Sequence, residues 1–392
     1  MSRETDRLIP ELRFPEFVKD GEWEEKELGE FLGYLQPTKY LVNSTAYDEK
    51  YKIPVLTAGK TFILGYTNES EGVFDNKLPV IIFDDFTTAS KYVDFPFKAK
   101  SSAMKILYAK KNTSIKFVFE SMQMIGYEVG VHKRHWISIF SKIKIPISDP
   151  KEQQKIASFL SSIDELIAAH NDKLEALKDH KKGLMQNLFP QEGDTVPKYH
   201  FPEFENDGEW VEKKLGKVFE SFSGSTPKTT EKKYYGGNIP FIRSAEIDRE
   251  LTELFLTEEG LNNSSAKLAN KGDLLVALYG ANSGEVAISK IDGAINQAIL
   301  CLRSDYSNSF THQFLLLKKE WIISRYIQGG QGNLSGDIIK SIELLFPNKE
   351  EQQKIASCLS AVDELITAQK EKIEQLQLHK KGLMQGLFPK IN

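Results

Sequence analysis

The chain has 392 residues, 40% of them hydrophobic and 11% aromatic, which is enough to bury the cores of about two or three domains. It contains no run of about 18 apolar residues, so no membrane span is expected, and its charged start lacks the apolar stretch of an export signal. Two cysteines, Cys301 and Cys358, exclude a disulfide framework and a four-cysteine metal site, and a cytoplasmic location is expected.

The net charge of −4 is unfavourable for DNA binding, but the charge is unevenly distributed. Residues 30–148 hold 16 Lys and Arg against 11 Asp and Glu, whereas residues 217–347 hold 14 against 15. The connectors 1–29 and 191–216 each carry −4. Basic surfaces attract the phosphate backbone of DNA. The charge of the first globular segment therefore permits DNA binding, whereas the charge of the second neither favours nor excludes it.

The first predicted element is a short leader that contains FPEF at 14–17 and DGEW at 20–23. Both motifs recur 187 residues later, at 201–204 and 207–210. The first globular segment, residues 30–148, follows the leader. Its alternation of β-like runs and polar turns predicts strands, and the segment is interpreted as mixed α and β. The predicted strands cover residues 53–57, 78–83, 136–140 and 142–147.

A long helix is predicted next, over residues 151–188. Asp149 can cap its start, Glu152 can close a capping box, and Phe189-Pro190 ends it. Residues 152–190 recur closely and without a gap as residues 351–389, 199 residues later, with Asn348 as the matching cap. Each helix would be about 57 Å long.

The apolar residues of both long helices recur at alternating spacings of four and three, which is typical of a coiled-coil seam. His170 and Lys181 interrupt the first seam, and Gln369 and Lys380 interrupt the second at the matching places; we interpret them as register-setting side chains. We expect the two helices to pair antiparallel about a pseudo-twofold axis, with Ile156 facing Leu387. The seam residues are Ile156, Leu160, Ile163, Ile167, Leu174, Leu177, Leu184, Leu188, Ile355, Leu359, Val362, Ile366, Ile373, Leu376, Leu383 and Leu387.

The second globular segment, residues 217–347, is 12 residues longer than the first and shares little with it by direct comparison. Strands are predicted over 239–244, 273–279 and 298–303, and a helix over 312–328. The predicted fold class is therefore α+β, with two globular mixed α/β domains separated by two long helices. The predicted segments are 1–150, 151–190, 191–349 and 350–392.

Polar, glycine-containing loops follow several of the predicted strands in both globular segments. Arg, Lys, Asn and Gln side chains can contact base edges, whereas Ser, Thr and backbone N–H groups can contact phosphates. The candidate DNA-binding residues are Lys60, Thr61, Thr87, Thr88, Ser90, Lys91, Lys98, Lys100, Ser101, Lys133, Arg134, Lys228, Arg243, Ser244, Tyr279, Asn282, Ser283, Asn296, Gln297, Gln331, Asn333 and Ser335.

No catalytic or metal constellation is found in the sequence. Gly59-Lys60-Thr61 ends like a phosphate-binding loop, but Pro54 stands where that motif needs glycine. His132 and His135 lack further ligands at metal-site spacing. We expect neither a catalytic residue nor a bound metal in this chain.

The layout resembles the specificity subunits of type I restriction–modification systems over nearly the whole chain. The resemblance depends on the two helical repeats ending LMQNLFP and LMQGLFP, the RFPEF leader and its echo, and recognition-domain-like sequence at 79–107, 272–303 and 329–347. It implies that each target-recognition domain reads half of a bipartite site on double-stranded DNA. The helices would act as spacers and dock two methyltransferase subunits, to which restriction motor subunits are added. The chain itself would bind no cofactor, with S-adenosylmethionine, ATP and magnesium in the partner subunits.

Two other functions remain open from the residues alone. A fused methyltransferase or nuclease requires a complete cofactor or metal motif, which the sequence does not show. If the chain were a purely structural coiled-coil adaptor, its two unlike, loop-rich domains would have no function. The residues therefore favour a non-catalytic DNA-reading scaffold.

Overall fold

The computed structural model describes residues 8–59, 61–127, 135–326 and 333–390. The chain forms two compact units, Met1–Asn171 with Glu371–Asn392, and Asp172–Lys370. These units differ from the four consecutive segments predicted, because each long helix contributes residues to both units. Each unit holds one leader, one globular segment and parts of both helices.

The first unit contains a two-stranded sheet of order β1-β9, a four-stranded sheet of order β2-β8-β5-β6, and a three-stranded sheet of order β4-β3-β7. The strands are β1 (Glu24–Glu27), β2 (Leu32–Leu35), β3 (Ile53–Leu56), β4 (Ile63–Thr67), β5 (Val80–Asp84), β6 (Ser90–Val93), β7 (Lys98–Ala99), β8 (Met104–Ala109) and β9 (Lys144–Ile147). The helices are α1 (Leu28–Phe31), α2 (Ile115–Gln123) and α3 (Pro150–Leu188), of which α3 continues into the second unit, and the 3-10 turns are Pro15–Phe17, Pro37–Tyr40 and Phe140–Lys142.

The second unit contains sheets of order β10-β19, β11-β18-β15-β16 and β13-β12-β17-β14. The strands are β10 (Val211–Lys214), β11 (Glu220–Ser223), β12 (Tyr235–Ile242), β13 (Leu254–Leu256), β14 (Lys267–Ala269), β15 (Leu274–Ala277), β16 (Val286–Ile288), β17 (Gly293–Ile295), β18 (Ile299–Arg303) and β19 (Glu343–Phe346). The helices are α4 (Leu215–Val218), α5 (Glu258–Asn262), α6 (Asn308–Tyr326), α7 (Gly336–Ser341) and α8 (Lys349–Leu387), and the 3-10 turns are Pro202–Phe204, Lys232–Tyr234, Ser244–Glu246 and Gly280–Asn282.

The two globular segments share one topology, although their sequences show little similarity by direct comparison. The order β2-β8-β5-β6 in the first corresponds to β11-β18-β15-β16 in the second, and β4-β3-β7 corresponds to β13-β12-β17. In both, the only parallel pairing between named strands in the described residues joins the equivalent strands, β3 with β7 and β12 with β17. Strand β14 is an addition to the second segment, the longer of the two.

Most of the predicted strands are present, but the run at 136–140 is not a strand. The amide N–H groups of Ile139 and Phe140 both donate to the carbonyl oxygen of His135, which closes a turn. Trp136 and Phe140 are buried while Ile137 and Ile139 are exposed, as expected for apolar residues spaced by four. The predicted helix over 312–328 corresponds to α6.

The ends of both long helices lie close to their predicted positions, but Glu152 does not play its predicted capping role. Asp149 caps α3 by accepting from the amide N–H of Lys151 at 2.9 Å. The Glu152 carboxylate is buried and accepts instead from Arg13 Nε at 2.7 Å and Trp23 Nε1 at 3.1 Å. The leader therefore binds the first turn of the helix.

The second copy repeats this arrangement with a histidine in place of the arginine. Asn348 Oδ1 caps α8 by accepting from the amide N–H of Glu351 at 2.8 Å. The buried Glu351 carboxylate lies 2.7 Å from His200 Nδ1, in the place that Arg13 occupies in the first unit. In both copies the leader therefore binds the first turn of the long helix.

The predicted seam positions are buried or half-buried along both long helices. In the first unit, Ile156 and Leu160 of α3 share a core with Leu387 of α8. Phe388 packs in the same core, with its ring centroid 6.1 Å from Trp23 and 5.1 Å from Phe117. In the second unit, Leu188 of α3 shares a core with Ile355 and Leu359 of α8. In each unit the start of one long helix therefore packs with the end of the other, as in an antiparallel coiled coil.

The lysines that interrupt the seams form ion pairs across the two helices. In the first unit, Lys380 Nζ lies 2.7 Å from Asp164 and 2.9 Å from Glu120 of α2. Burial alone would raise the pKa of Asp164, but hydrogen bonds from Lys116 and Lys380 outweigh it and hold that pKa below its usual value. In the second unit the equivalent Lys181 pairs with Asp363 at 2.7 Å. In the first unit these charges attach the globular segment to both helices, and in the second unit Gln313 of α6 completes the same link by donating to Asp363 at 2.8 Å.

Candidate nucleic-acid interface

In the first unit, the loops that follow three strands meet at one edge of the globular segment. The amide N–H of Lys100, after β7, donates to the carbonyl oxygen of Leu56 at the end of β3, at 2.9 Å. The amide N–H of Asp85, after β5, donates to the carbonyl oxygen of Ala103 at 3.3 Å. The loops 57–62, 84–90 and 100–103 are thereby neighbours, and we name them the first loop edge.

The second unit has an equivalent edge. The amide N–H of Leu278, after β15, donates to the carbonyl oxygen of Ala298 at 2.7 Å, and the amide N–H of Leu334 donates to the carbonyl oxygen of Leu278 at 2.9 Å. Thr226 Oγ1 donates to Gln297 Oε1 at 2.8 Å. We name residues 243–246, 279–284, 296–298 and 333–335 the second loop edge.

The two loop edges occupy equivalent places in the shared topology. They follow β3, β5 and β7 in the first unit, and β12, β15 and β17 in the second. The carbonyl oxygens of Ala103 and Ala298 accept equivalent hydrogen bonds, from the amides of Asp85 and Leu278. The amide N–H of His135 donates to the carbonyl oxygen of Asp85, as that of Leu334 does to Leu278. Of the candidate residues that the structure describes, Lys91, Lys98 and Lys228 lie outside the two loop edges, and the others lie within them, at one repeated position on the fold.

The candidate residues differ in exposure. The exposed ones are Thr61, Thr87, Lys91, Ser101, Lys228, Tyr279, Gln297, Asn333 and Ser335, and the half-buried ones are Thr88, Ser90, Lys100, Arg243, Ser244, Asn282, Ser283 and Asn296. Lys60, Lys133, Arg134 and Gln331 lie outside the described residues.

Lys98 is a correction to the predicted set, because its side chain is only 2% exposed. Its ammonium lies 2.9 Å from the carboxylate of Glu69 and donates to the carbonyl oxygen of Glu71 at 2.6 Å. The hydrogen bond from the Lys98 ammonium to the Glu69 carboxylate holds the pKa of Glu69 below its usual value. Lys98 therefore supports the loop from inside and does not face a ligand.

Arg243 was expected to read bases, but its guanidinium already binds two carboxylates. It donates to Glu246 at 2.9 and 3.0 Å and to Glu253 at 2.5 Å. Its pKa is raised above the ordinary value, mainly by the hydrogen bond to Glu246. These bonds use three of the five N–H donors of the guanidinium.

Several polar candidates shape the loops themselves. Ser335 caps α7 by accepting from the amide N–H of Ile338 at 3.1 Å, and Ser283 Oγ donates to the carbonyl oxygen of Leu278 at 2.9 Å. Ser101 Oγ accepts from the amide N–H of Ala103 at 3.1 Å. Such local hydrogen bonds are common for these residue types in turns.

Sequence reasoning overlooked two side chains at the edges. Thr226 binds Gln297, and Tyr47 lies under the ammonium of Lys100, 5.7 Å from nitrogen to ring centroid. Thr226 stands two residues before the candidate Lys228. Nothing in the local sequence of Tyr47 indicates that it lies beside Lys100.

Gly224 allows the chain to pass close to β17 at the second loop edge, and this leads to a prediction. A Cβ atom at this position would lie 1.7 Å from the carbonyl oxygen of Ile295. Gly224→Ala should therefore displace the following Thr226 loop and destabilise the unit by about 1–3 kcal/mol or more, measured by thermal unfolding. Gly183→Ala, where the new methyl meets nothing within 4 Å, is the control and should not lower stability. An unchanged unfolding temperature for Gly224→Ala would contradict the prediction.

Within the described residues, no group of three or more His, Cys, Asp or Glu side chains is placed to hold a metal ion. No helix in the described part of the chain is long and apolar enough to cross a membrane.

A mixed α/β domain is thus present in two copies, each with one loop edge, and two long helices contribute residues to both, which defines a duplicated two-domain scaffold. The sequence model of the type I restriction modification DNA specificity domain matches residues 20–179 and 207–378. The chain belongs to this family of type I specificity subunits.

Individual relatives agree with this assignment. The chain is 34% identical over 391 residues to the type I restriction enzyme EcoR124I/EcoR124II specificity subunit of Escherichia coli, and the match covers 91% of each of the two chains. It is 27% identical over 409 residues to the MjaVIII specificity subunit of Methanocaldococcus jannaschii, with 96% of this chain and 93% of the relative covered. Its fold is similar to that of the S subunit from M. genitalium, with a TM-score of 0.69, 16% identity, and 98% and 100% of the two chains covered.

Proposed function

We propose that this specificity subunit reads a bipartite site on double-stranded DNA, with one loop edge for each half-site. The observation that carries the proposal is the contrast within the chain. The leader and long helix are repeated almost unchanged, whereas the two loop edges occupy the same place on the fold with different residues. One scaffold thus presents two different recognition surfaces.

The repeated part of the chain supports a second element of the proposal, the docking of two methyltransferase subunits on the long helices. Because the leader and helix are nearly the same in both copies, each copy offers a similar surface to a partner. Restriction motor subunits would join this core. The chain would act without catalysis and without a cofactor of its own, leaving S-adenosylmethionine, ATP and magnesium to its partners.

The proposal is tested with a library of random-sequence DNA duplexes and the chain assembled with its methyltransferase subunits. After incubation with S-adenosylmethionine, sequencing of the methylated fraction should show two short half-sites. If each half-site spans roughly 3–5 base pairs of one DNA turn, the unread gap should be about 5–8 base pairs. The chain alone should methylate nothing. Methyl transfer by the isolated chain, or a single continuous site, would contradict the proposal.

A further inference from the structure

A buried ion pair lies beneath the first loop edge. Lys105 Nζ is 3.2 Å from Asp85 Oδ2, and the two side chains are 1% and 2% exposed. Removing two charges from water is costly unless further hydrogen bonds and good geometry compensate for it. Here Asp85 Oδ1 accepts from the amide N–H of Trp136 at 2.9 Å, and the Lys105 ammonium lies 5.5 Å from the centroid of the Tyr34 ring.

Asp85 connects three separate segments of the first unit. Its amide N–H donates to the carbonyl oxygen of Ala103 in the loop 100–103. Its carbonyl oxygen accepts from the amide N–H of His135 at 2.9 Å, next to the bond from Trp136 to its carboxylate. It is also the second residue of the loop 84–90. One buried residue therefore sets how these segments lie beside one another.

In the second unit the equivalent segments meet in the same way, but uncharged side chains take the place of the ion pair. Its strand register aligns Val276 with Leu300, as Phe83 aligns with Lys105 in the first unit. Leu278 follows β15 as Asp85 follows β5. Leu278 and Leu300 thus replace Asp85 and Lys105, and they are 2% and 4% exposed. The fold itself therefore does not require the ion pair.

We propose that Asp85 and Lys105 are positioning residues for DNA reading by the first domain. The Asp85 carboxylate fixes the backbone of Trp136 against the loops 84–90 and 100–103, and Lys105 holds that carboxylate in place through the buried ion pair. Neither side chain touches DNA, because both are buried. The inference depends on the proposed reading of one half-site by each domain.

Two double variants separate positioning from packing. Asp85→Leu with Lys105→Leu copies the second domain and removes the acceptor for Trp136. Asp85→Asn with Lys105→Met also removes both charges but retains an oxygen that can accept from the Trp136 amide. Neither leaves a lone buried charge, which single replacements would do, so both should fold.

The first measurement is hydrogen exchange of the Trp136 amide in the full chain. Exchange should become about tenfold faster in the Leu/Leu variant, which corresponds to the loss of the one hydrogen bond from the Trp136 amide to the side chain at position 85, and should change little in the Asn/Met variant. Unchanged exchange in the Leu/Leu variant would overturn the proposal without any reference to DNA.

The second measurement repeats the random-duplex selection with each variant in the methyltransferase complex. The Leu/Leu variant should lose up to about tenfold of its discrimination at one half-site only, while the Asn/Met variant should resemble the wild type. If the Leu/Leu variant reads both half-sites normally, the pair is only core packing and the proposal is wrong. If the wild-type complex selects no bipartite site, the proposed function fails instead, and the exchange result still decides whether Asp85 anchors Trp136.

Discussion

Replacing Leu174 or Ile373 with glutamate should destabilise the chain and abolish its assembly with methyltransferase subunits. Both side chains occupy predicted seam positions and are 8% exposed. An unpaired carboxylate at such a site costs several kcal/mol, which is a large part of the stability of a typical domain. Thermal unfolding of the chain and size-exclusion chromatography of the co-expressed complex provide the measurements.

The same helices offer matched controls for this experiment. Leu166 and Leu365 are leucines on α3 and α8 that are 45% and 56% exposed. Because a carboxylate at these positions stays in water, Leu166→Glu and Leu365→Glu should leave thermal stability nearly unchanged. Normal stability and assembly of both the Leu174→Glu and Ile373→Glu variants would show that the seam does not hold the helices together.

Exchanging residues 217–347 for the corresponding segment of another specificity subunit should change one half-site completely and leave the other as it was. The exchanged segment carries all of the second loop edge, whereas the leader and helix that attach it are repeated in the first unit. The remaining contacts, such as those of Glu351 with His200, lie outside the exchanged residues. The first loop edge is untouched.

The readout is methylation-sensitive sequencing of DNA from cells that express the chimaera with its methyltransferase subunits. Exchange of residues 30–148 is the reciprocal control and should change the opposite half-site. The proposed division of labour would be refuted by a chimaera whose two half-sites both change, or by one that keeps both half-sites unaltered.

The long helices were predictable from sequence because their signals are local and repeated. Asp149 and Phe189-Pro190 mark the ends of α3, and the structure begins and ends this helix within one residue of the prediction. The role of Lys181 was harder to predict, because its partner Asp363 lies outside the seam and 182 residues away. An interrupted seam indicates a polar contact but does not identify the partner.

The loop edges were predictable as loops but not residue by residue. Lys98 looks like a surface lysine in the sequence, yet the structure buries it beside Glu69. The shared topology of the two globular segments could not be predicted from the sequence either, because it depends on main-chain hydrogen bonds that different residues can make. Asp85 and Leu278 form the same pair of main-chain hydrogen bonds with side chains of opposite character.

Each long helix contributes residues to both units, and the first unit includes the end of α8. During synthesis the first unit can therefore be completed only after the second. Domains generally fold as the chain emerges from the ribosome, starting from the N-terminal end. Here Phe388 fills the core beside Trp23 and Phe117, so the first unit stays unfinished until α8 has been translated. The second unit ends at Lys370 and has all its parts earlier. The domain that is made first is thus the last to be finished, because the part of its core that Leu387 and Phe388 fill stays open until the end of α8 is made.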